Sequence, residues 1–364
     1  MNRLLSLLTL LSCACAPEAE VDKVPDNEPP AGDTGVVDDS VTTAVLATVS
    51  DDYSVGALAT ISLDDWTVTD TITDLTGDPG VVAAGPHIFQ LNRYGHDSVR
   101  VYTPGSWGAP DSEFALADLA NPHDVDLCGE QAVVSQYGVD QLAFVDPNTG
   151  LLSGSVDLSA HSDADGIPEA STMVKGHDGR LYVGLHQFRR DEGWATAEGE
   201  VVEVDCDSRT VTASWSASVP DVYPWPTRPT ELLVFEKDVG IRILDQESGE
   251  LRGVLVSTDD LGGNVVALAA FGAVALVALS DADQTYAIGC IDLIEGSVVS
   301  HEPVDSYIPS LVGDGLGSAW VSMRPHWSNP DAPTGTRVYN ISACTERTTT
   351  PLQTLLAPVD IAFY

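Results

Sequence analysis

The sequence feature that most limits the fold is a repeat of short strands in units of about forty residues. The clearest unit is residues 121–158, "NPHDVDLCGEQAVVSQYGVDQLAFVDPNTGLLSGSVDL". It divides into four runs, "HDVDL", "QAVVSQY", "QLAFVD" and "LLSGSVDL", with the turn residues "DPNTG" between the last two. From residue 43 onward no long stretch has helical periodicity, so the pattern predicts an all-β chain.

Repeated four-stranded units predict a single β-propeller, in which each unit forms one blade. Seven units start near residues 43, 78, 121, 168, 225, 263 and 305. The fifth unit is short, so six or eight blades are alternatives to seven. The segment "APVDIAFY" at 357–364 matches the start of a unit, whereas the unit at 43–75 lacks this first strand. The C-terminal strand is therefore expected to complete the first blade and close the ring, which removes exposed sheet edges.

The pattern "YGVDQLAFVDPNTG", preceded by "PHDV", resembles the YVTN-type β-propeller repeats of bacterial surface and periplasmic proteins. The resemblance covers nearly all of the chain after residue 42 and implies a binding or surface module. The sequence departs from the regular repeat at the short fifth unit and at long insertions in 186–199 and 324–336. Those departures are where specific function is expected.

The four-strand assignment and this resemblance place the start of each innermost strand at one end of the channel, here called the top face. The residue after each unit-starting proline is expected at the channel mouth: Gly80, His123, Glu169, Thr230, Ser310 and Val359. Loops that overhang the mouth are expected to carry polar and aromatic residues: Asn92, Arg93, Tyr94, His96, Gln136, Tyr137, His186, Arg189, Arg190, Asp191, Trp194, Arg324, His326 and Trp327.

Much of the scarce basic charge of the chain lies in these loops, so the top face is predicted to bind an anionic or aromatic ligand. The predicted ligand contacts are His123, Glu169, Tyr94, Tyr137, His186, Arg189, Arg324 and His326. The alternative is that long loops collect polar residues without binding anything.

The stretch "HSDADGIPEAS" at 161–171 resembles part of a calcium loop. Asp163, Asp165 and Gly166 match positions three, five and six of an EF-type loop, whereas His161 and Thr172 fall where acidic ligands are needed. A looser calcium site that uses Asp163 and Asp165 is one interpretation. A solvated turn whose Asp side chains bond their own backbone is the other.

The cysteines after residue 42 number four, an even count that suggests disulfides in an exported domain. In the blade assignment, Cys128 and Cys206 lie on hairpins at the bottom of neighbouring blades, and Cys290 and Cys344 lie near the equivalent hairpins of the last two. The predicted disulfides are therefore Cys128–Cys206 and Cys290–Cys344. Buried unpaired cysteines are the alternative, and zinc is disfavoured because no CxxC, HxxxH or HExxH motif occurs.

The N-terminal segment predicts export and a lipid anchor. Arg3 and a mostly apolar run at 4–11 precede "LLSC", which looks like a bacterial lipobox with Cys13 as the acylated residue and Cys15 as the alternative. Residues 1–12 are predicted to be a lipoprotein signal peptide, 13–42 the acylated N-terminus with a flexible acidic tether, and 43–364 the propeller. The expected location is the cell envelope, attached to the membrane through the anchor, with the outer membrane favoured.

The net charge narrows the functions that fit the chain. Acidic residues outnumber basic ones 55 to 16, for a formal charge of −39, so nucleic acid is disfavoured as a partner. The leading hypothesis is a non-catalytic propeller that binds a small ligand or envelope protein at the top face. Alternatives are a lyase or lactone hydrolase in which His123 is the base beside Glu169, and an envelope scaffold with no specific ligand.

Overall fold

Seven antiparallel sheets stand around a central channel in the computed structural model of the protein. The structure describes residues 41–193, 195–196, 198–326 and 329–364. The predicted seven-bladed β-propeller is therefore confirmed. From the channel outward, the strands are Ala357–Phe363, Thr43–Val49, Gly56–Ser62 and Val68–Leu75 in blade 1; Pro79–Ala84, His87–Asn92, Ser98–Tyr102 and Ser112–Ala115 in blade 2; Pro122–Cys128, Gln131–Gln136, Gln141–Asp146 and Leu151–Asp157 in blade 3; Ala170–Lys175, Leu181–Leu185, Gly199–Asp205 and Thr210–Ala217 in blade 4; Pro220–Pro224, Glu231–Glu236, Gly240–Asp245 and the split outer pair Glu250–Leu251 and Val256–Ser257 in blade 5; Asn264–Phe271, Val274–Ser280, Tyr286–Asp292 and Ser297–Val304 in blade 6; and Tyr307–Gly313, Ser318–Arg324, Gly335–Asn340 and Thr345–Glu346 in blade 7.

Helical structure is confined to short connections in the described part of the chain. The elements are the α-helical turn Thr258–Leu261 and the 3₁₀ turns Ser159–His161 and Arg190–Glu192. A two-stranded hairpin of Phe188–Arg189 and Ala195–Thr196 rises from blade 4. None of the described helices has the length and apolar character needed to span a membrane.

The C-terminal strand closes the ring, as the sequence predicts. Ala357–Phe363 pairs antiparallel with Thr43–Val49 and forms the innermost strand of blade 1. The carboxylate of Asp360 also accepts a hydrogen bond from the backbone N–H of Val81 in blade 2, at 3.0 Å. The two ends of the described chain therefore share one blade, and the inner edge of Thr43–Val49 is paired rather than left open at the closure.

Neighbouring blades are held together by apolar packing and by two disulfides. Between blades 3 and 4, for example, Phe144 and Val133 pack with Leu181 and Val202 in one buried cluster. A disulfide joins the same two blades, and another joins blades 6 and 7. Both predicted pairings are confirmed, since the bonds are Cys128–Cys206 and Cys290–Cys344.

Blade 5 starts earlier than the sequence repeat predicts. Its innermost strand is Pro220–Pro224, so the expected start near residue 225 is wrong. Pro229 and Thr230 lie in the turn before the second strand, at the end of the blade opposite the channel mouth. Two segments here begin with proline and continue into apolar residues, "PDVYP" and "PTELLVF", so the repeat pattern alone does not distinguish which of them starts the blade. Thr230 therefore does not belong to the top face.

Candidate functional site

The connections between blades and the loops between the second and third strands gather at the top face. The loops that surround it are residues 50–55, 93–97, 137–140, 237–239 and 281–285, with the described parts of two longer loops, 186–193, 195–196 and 198 in blade 4 and 325–326 and 329–334 in blade 7. The described residues line a central cavity of about 450 Å³ at the channel mouth and a lateral cavity of about 1090 Å³ between blades 5, 6, 7 and 1. Tyr53, Asp221 and Tyr307 line both, so the cavities adjoin.

A chain of aromatic and charged side chains begins and ends at the central cavity, which His123 and Asp221 line. The ring of His123 stacks on Tyr137, with centroids 4.3 Å apart. The Tyr137 hydroxyl and His186 Nδ1 are 3.0 Å apart, and His186 Nε2 lies 3.2 Å from Asp221 Oδ1. The predicted site residues His123, Tyr137 and His186, from blades 3 and 4, are therefore in one connected group. The group ends at Asp221 of blade 5, which the sequence does not predict as a site residue.

Burial and neighbouring charge set the protonation of this group. Burial, together with the nearby Arg93 and His186, lowers the pKa of His123 to about 3, so its ring is neutral at physiological pH. Burial alone would raise the pKa of Asp221. The charge and hydrogen bond of His186, with the hydroxyls of Ser171 and Thr172, outweigh burial, so the pKa of Asp221 is lowered and its carboxylate stays ionised.

Two further carboxyl groups that line the central cavity link the innermost strands of neighbouring blades through hydrogen bonds. Asp124 accepts the backbone N–H of Met173 in blade 4 at 2.7 Å, as Asp360 does for blade 2. Burial raises the pKa of Asp124 to about 8 and also raises the pKa of Asp360. Both carboxyl groups accept hydrogen bonds from the backbone of the next blade, so their role is structural.

The lateral cavity has an aromatic wall. The rings of Tyr286 and Tyr307 are edge to face at 5.4 Å, and Tyr286 and His326 are 5.9 Å apart. Burial raises the pKa of Tyr286 to about 12 and also raises that of Tyr307, so both hydroxyls remain protonated hydrogen-bond donors. At the blade 7 side, the Arg324 guanidinium lies 4.5 Å from the ring centroid of Tyr53.

Polar groups complete the rim of the lateral cavity. They are Asp51, Asp221, Lys237, Asp238, Asn264, Asp281 and Gln284. Aromatic faces with a few polar groups are the usual lining of a small-molecule site, and the volume is slightly above the range of about 300–1,000 Å³ for such sites. The arrangement suits a ligand with a flat or apolar body and a small number of polar substituents.

Glu169 lies elsewhere than the sequence analysis placed it. Its side chain is 0% exposed, and its carboxylate accepts hydrogen bonds from Arg190 Nε at 2.6 Å and from the N–H of Phe188 at 2.9 Å. Arg190 also donates to the carbonyl of Tyr137 at 2.7 Å. The left-handed backbone at Glu169, with φ of 49°, precedes the first residue of the strand. Glu169 therefore supports the blade 4 insertion from below and does not stand at the channel mouth beside His123.

Two other predicted contacts lie on the top face but line neither cavity. Tyr94 is 79% exposed on the blade 2 loop. Arg189 is paired with Glu192 at 3.2 Å on the blade 4 insertion. By contrast, Arg324 and His326 both line the lateral cavity. The predicted loop residues Trp194 and Trp327, like Cys13 and Cys15, lie outside the described residues.

The other predicted mouth residues differ in their surroundings. Val359 lines the central cavity. Ser310 is buried and bonds the Ser322 hydroxyl at 2.9 Å. Gly80 packs against Asp360 and Leu91. Of this set, His123 and Val359 line the central cavity.

The two aspartates of the calcium interpretation cap their own turn. Asp163 Oδ1 accepts the N–H of Asp165, and Asp165 Oδ1 accepts the N–H of Ile167, both at 2.9 Å. Within the described residues, no group of three or more His, Cys, Asp or Glu side chains is placed to hold a metal ion. The geometry matches the turn that the sequence offered as the alternative.

The site residues that the sequence analysis missed are Asp221, Tyr53, Tyr286 and Tyr307. Asp221 follows Pro220 just as His123 follows Pro122, so the correct start of blade 5 would have found it. The three tyrosines had no such signal, because they come from three different blades and meet only in the folded ring.

Comparison with known proteins identifies the fold and not a family. No protein-family model matches the chain, and no curated protein sequence matches it. A solved structure of a proposed 6-phosphogluconolactonase from Bacteroides uniformis is 12% identical, with a TM-score of 0.64, and the match covers 89% of this chain and 99% of that one. A second such protein, from Bacteroides fragilis, is 12% identical with a TM-score of 0.61, covering 90% and 98%. The Cps50 (Swd1) β-propeller domain of Myceliophteria thermophila is 12% identical with a TM-score of 0.59, covering 82% and 98%. Similarity at this identity establishes the β-propeller fold.

Proposed function

We propose that the protein is a non-catalytic β-propeller of the bacterial cell envelope that binds a small ligand or a segment of an envelope protein at its top face. The observation that carries this proposal is the lateral cavity of about 1090 Å³, which adjoins the channel mouth and has an aromatic wall. A cavity with aromatic faces and a few polar groups is the usual form of a ligand site.

The test is a thermal-shift screen of a small-molecule library against the purified mature chain, followed by affinity measurements on the hits. Tyr286→Ala removes part of the cavity wall and is expected to weaken the hits about tenfold or more, as aromatic contacts dominate such sites. Tyr94→Ala is the matched control, since this tyrosine is exposed on the same face outside both cavities.

Two results would argue against the proposal. Hits that tolerate Tyr286→Ala but are lost in Tyr94→Ala would move the site out of the cavity. A complete absence of hits would favour the scaffold alternative, in which the top face binds nothing specific.

A lyase or lactone hydrolase is the second candidate, and the two Bacteroides structures described as proposed 6-phosphogluconolactonases are the reason to test it. A general base works best with a pKa near the operating pH. Burial lowers the pKa of His123 to about 3, and Glu169 is paired with Arg190 under the insertion. Binding is therefore better supported than catalysis. Turnover of a lactone panel that His123→Ala abolishes would reverse this preference.

The proposal places the propeller on a lipid anchor in the envelope, with the outer membrane favoured. The lipobox-like "LLSC" and the acidic, apolar-poor segment up to residue 42 support this location. Metabolic labelling with a palmitate analogue tests it: Cys13→Ser is expected to abolish the label and release the protein from the membrane fraction, while Cys15→Ser leaves both unchanged. Loss of the label only in Cys15→Ser would move the anchor to the alternative cysteine.

A further inference from the structure

Arg324 is a buried arginine without an acidic partner in the described part of the chain. It ends the second strand of blade 7, is 2% exposed and lines the lateral cavity. Its Nη2 donates to the carbonyl of Ser50 at 3.1 Å, and its guanidinium packs on Tyr53. Its Nη1 is buried and has no hydrogen-bond partner among the described residues. A buried guanidinium in this state has lost water without gaining a counterion, which is costly.

This state is unusual for the top face of so acidic a protein. Arg93 is paired with Asp78 at 2.9 Å, Arg189 with Glu192 at 3.2 Å and Arg190 with Glu169 at 2.6 Å. Acidic residues outnumber basic ones 55 to 16, so carboxylates are abundant. The three other arginines of this face have taken such partners. Arg324, the one that lines the lateral cavity, has a positive charge that remains for another group to neutralise.

The other carboxylates of the cavity lining do not neutralise Arg324: among the described residues Asp51, next to Ser50, makes no ion pair with it, and the three on the side of blades 5 and 6 are engaged elsewhere. Asp281 accepts hydrogen bonds from Asp283 and Thr285 in its own turn. Asp238 accepts one from the side-chain amide of Asn264 at 3.1 Å, and Asp221 holds His186. These three carboxylates outnumber Lys237, the basic residue on the same side of the rim, so a ligand with several negative charges would be repelled there.

We propose that the lateral cavity binds an organic molecule that carries one carboxylate, which pairs with Arg324 while a ring of the ligand packs on Tyr286 and Tyr307. This inference rests on the proposed binding function and adds the ligand class. A guanidinium pairs with a carboxylate through two parallel hydrogen bonds, and it uses the Nη groups that are left here without an acidic partner. Because Tyr53 covers the guanidinium and Nη1 is buried, this pairing requires that the half-exposed Tyr53 ring moves aside.

Three fluorinated probes of the same shape test the proposal on the full mature chain: 4-(trifluoromethyl)benzoate, its neutral benzamide and the cationic benzylamine. Their affinities are measured by ¹⁹F NMR line broadening. The benzoate is expected to bind about tenfold or more tightly than the other two, because it alone forms the charge-assisted pair. Arg324→Gln is expected to remove that preference.

Arg209→Gln is the matched control, expected to leave the preference intact. Like Arg324, Arg209 packs on an aromatic ring, with its guanidinium 4.5 Å from the ring centroid of Phe144, and it donates hydrogen bonds to Ser153 and Gln131 rather than to an acid. It lies in the turn between the outer strands of blade 4, at the end opposite the top face. Circular dichroism and the melting temperature report whether Arg324→Gln still folds. The comparison of the three probes on the unmodified chain needs no variant.

Equal affinity of the benzoate and the benzamide overturns the proposal, as does a benzoate preference that survives Arg324→Gln. Tightest binding by the benzylamine overturns the carboxylate assignment and leaves the binding face in place. Absence of binding by all three also overturns this assignment, while the proposed function is judged separately by the library screen and Tyr286→Ala.

Discussion

Ile361→Ala tests whether the C-terminal strand holds the ring closed. Ile361 is 3% exposed and packs in one buried cluster with Leu46, Ile61 and Trp320, which joins the closing blade to blade 7. Truncation of a buried isoleucine to alanine removes apolar contacts and leaves a cavity, which costs about 2–5 kcal/mol. That loss is a large part of the roughly 5–15 kcal/mol by which a domain is stable.

The assay is urea unfolding followed by tryptophan fluorescence, for which Trp320 is a reporter inside the same cluster. Leu355→Ala is the control, because Leu355 lies just before the closing strand and is 73% exposed. The control is expected to change the free energy of unfolding by no more than about 0.5 kcal/mol. A loss of less than about 1 kcal/mol for Ile361→Ala would refute the closure by this strand.

Three further predictions concern Asp124 at the channel, the Glu169–Arg190 ion pair and the Cys128–Cys206 disulfide. Burial raises the pKa of Asp124 to about 8, so the native state binds a proton more tightly than the unfolded state, and the stability from this group is lost as pH rises from about 4 to about 8. The melting temperature of Asp124→Asn, relative to that of the parent protein, is therefore expected to rise over this pH range. A difference in melting temperature that does not change with pH would contradict this prediction. Glu169→Gln removes one partner of a buried ion pair and is expected to cost about 3–5 kcal/mol in urea unfolding while surviving folded protein keeps its ligand affinity; unchanged stability would speak against the support role. Replacing Cys128 and Cys206 with serine opens a link with a sequence separation of 78 residues and is expected to cost about 2–5 kcal/mol, checked by unfolding with and without reductant; equal midpoints for the parent protein under both conditions would mean that the bond contributes nothing.

The blade count, the closure and the disulfides were predictable because they depend on local signals that repeat. Proline before a strand and "DPNTG"-like turns recur in register, and counting from them puts Cys128 and Cys206 on the same end of adjacent blades. The start of blade 5 was not predictable in this way, since two segments carried the same signal. Only the pairing of Pro220–Pro224 with Glu231–Glu236 decides between them.

The site was predictable as a face but not as a set of contacts. His123, Tyr137 and His186 meet because each lies at a strand end or in a loop on that face, although the sequence paired His123 with Glu169 instead. The direction of Glu169 depends on Arg190, twenty-one residues later, and on a left-handed backbone that no local pattern specifies. Pairing among side chains from distant loops is a property of the folded ring, and for this reason the acid partners of the top-face arginines could not be inferred from composition.

The most direct test of the central claim is a crystal structure of the mature chain with its tightest-binding small molecule from the library. We expect ligand density in the lateral cavity, against Tyr286 and Tyr307 and within reach of Arg324. Density at the bottom hairpins or on the outer strands, with the lateral cavity filled only by water, would contradict it.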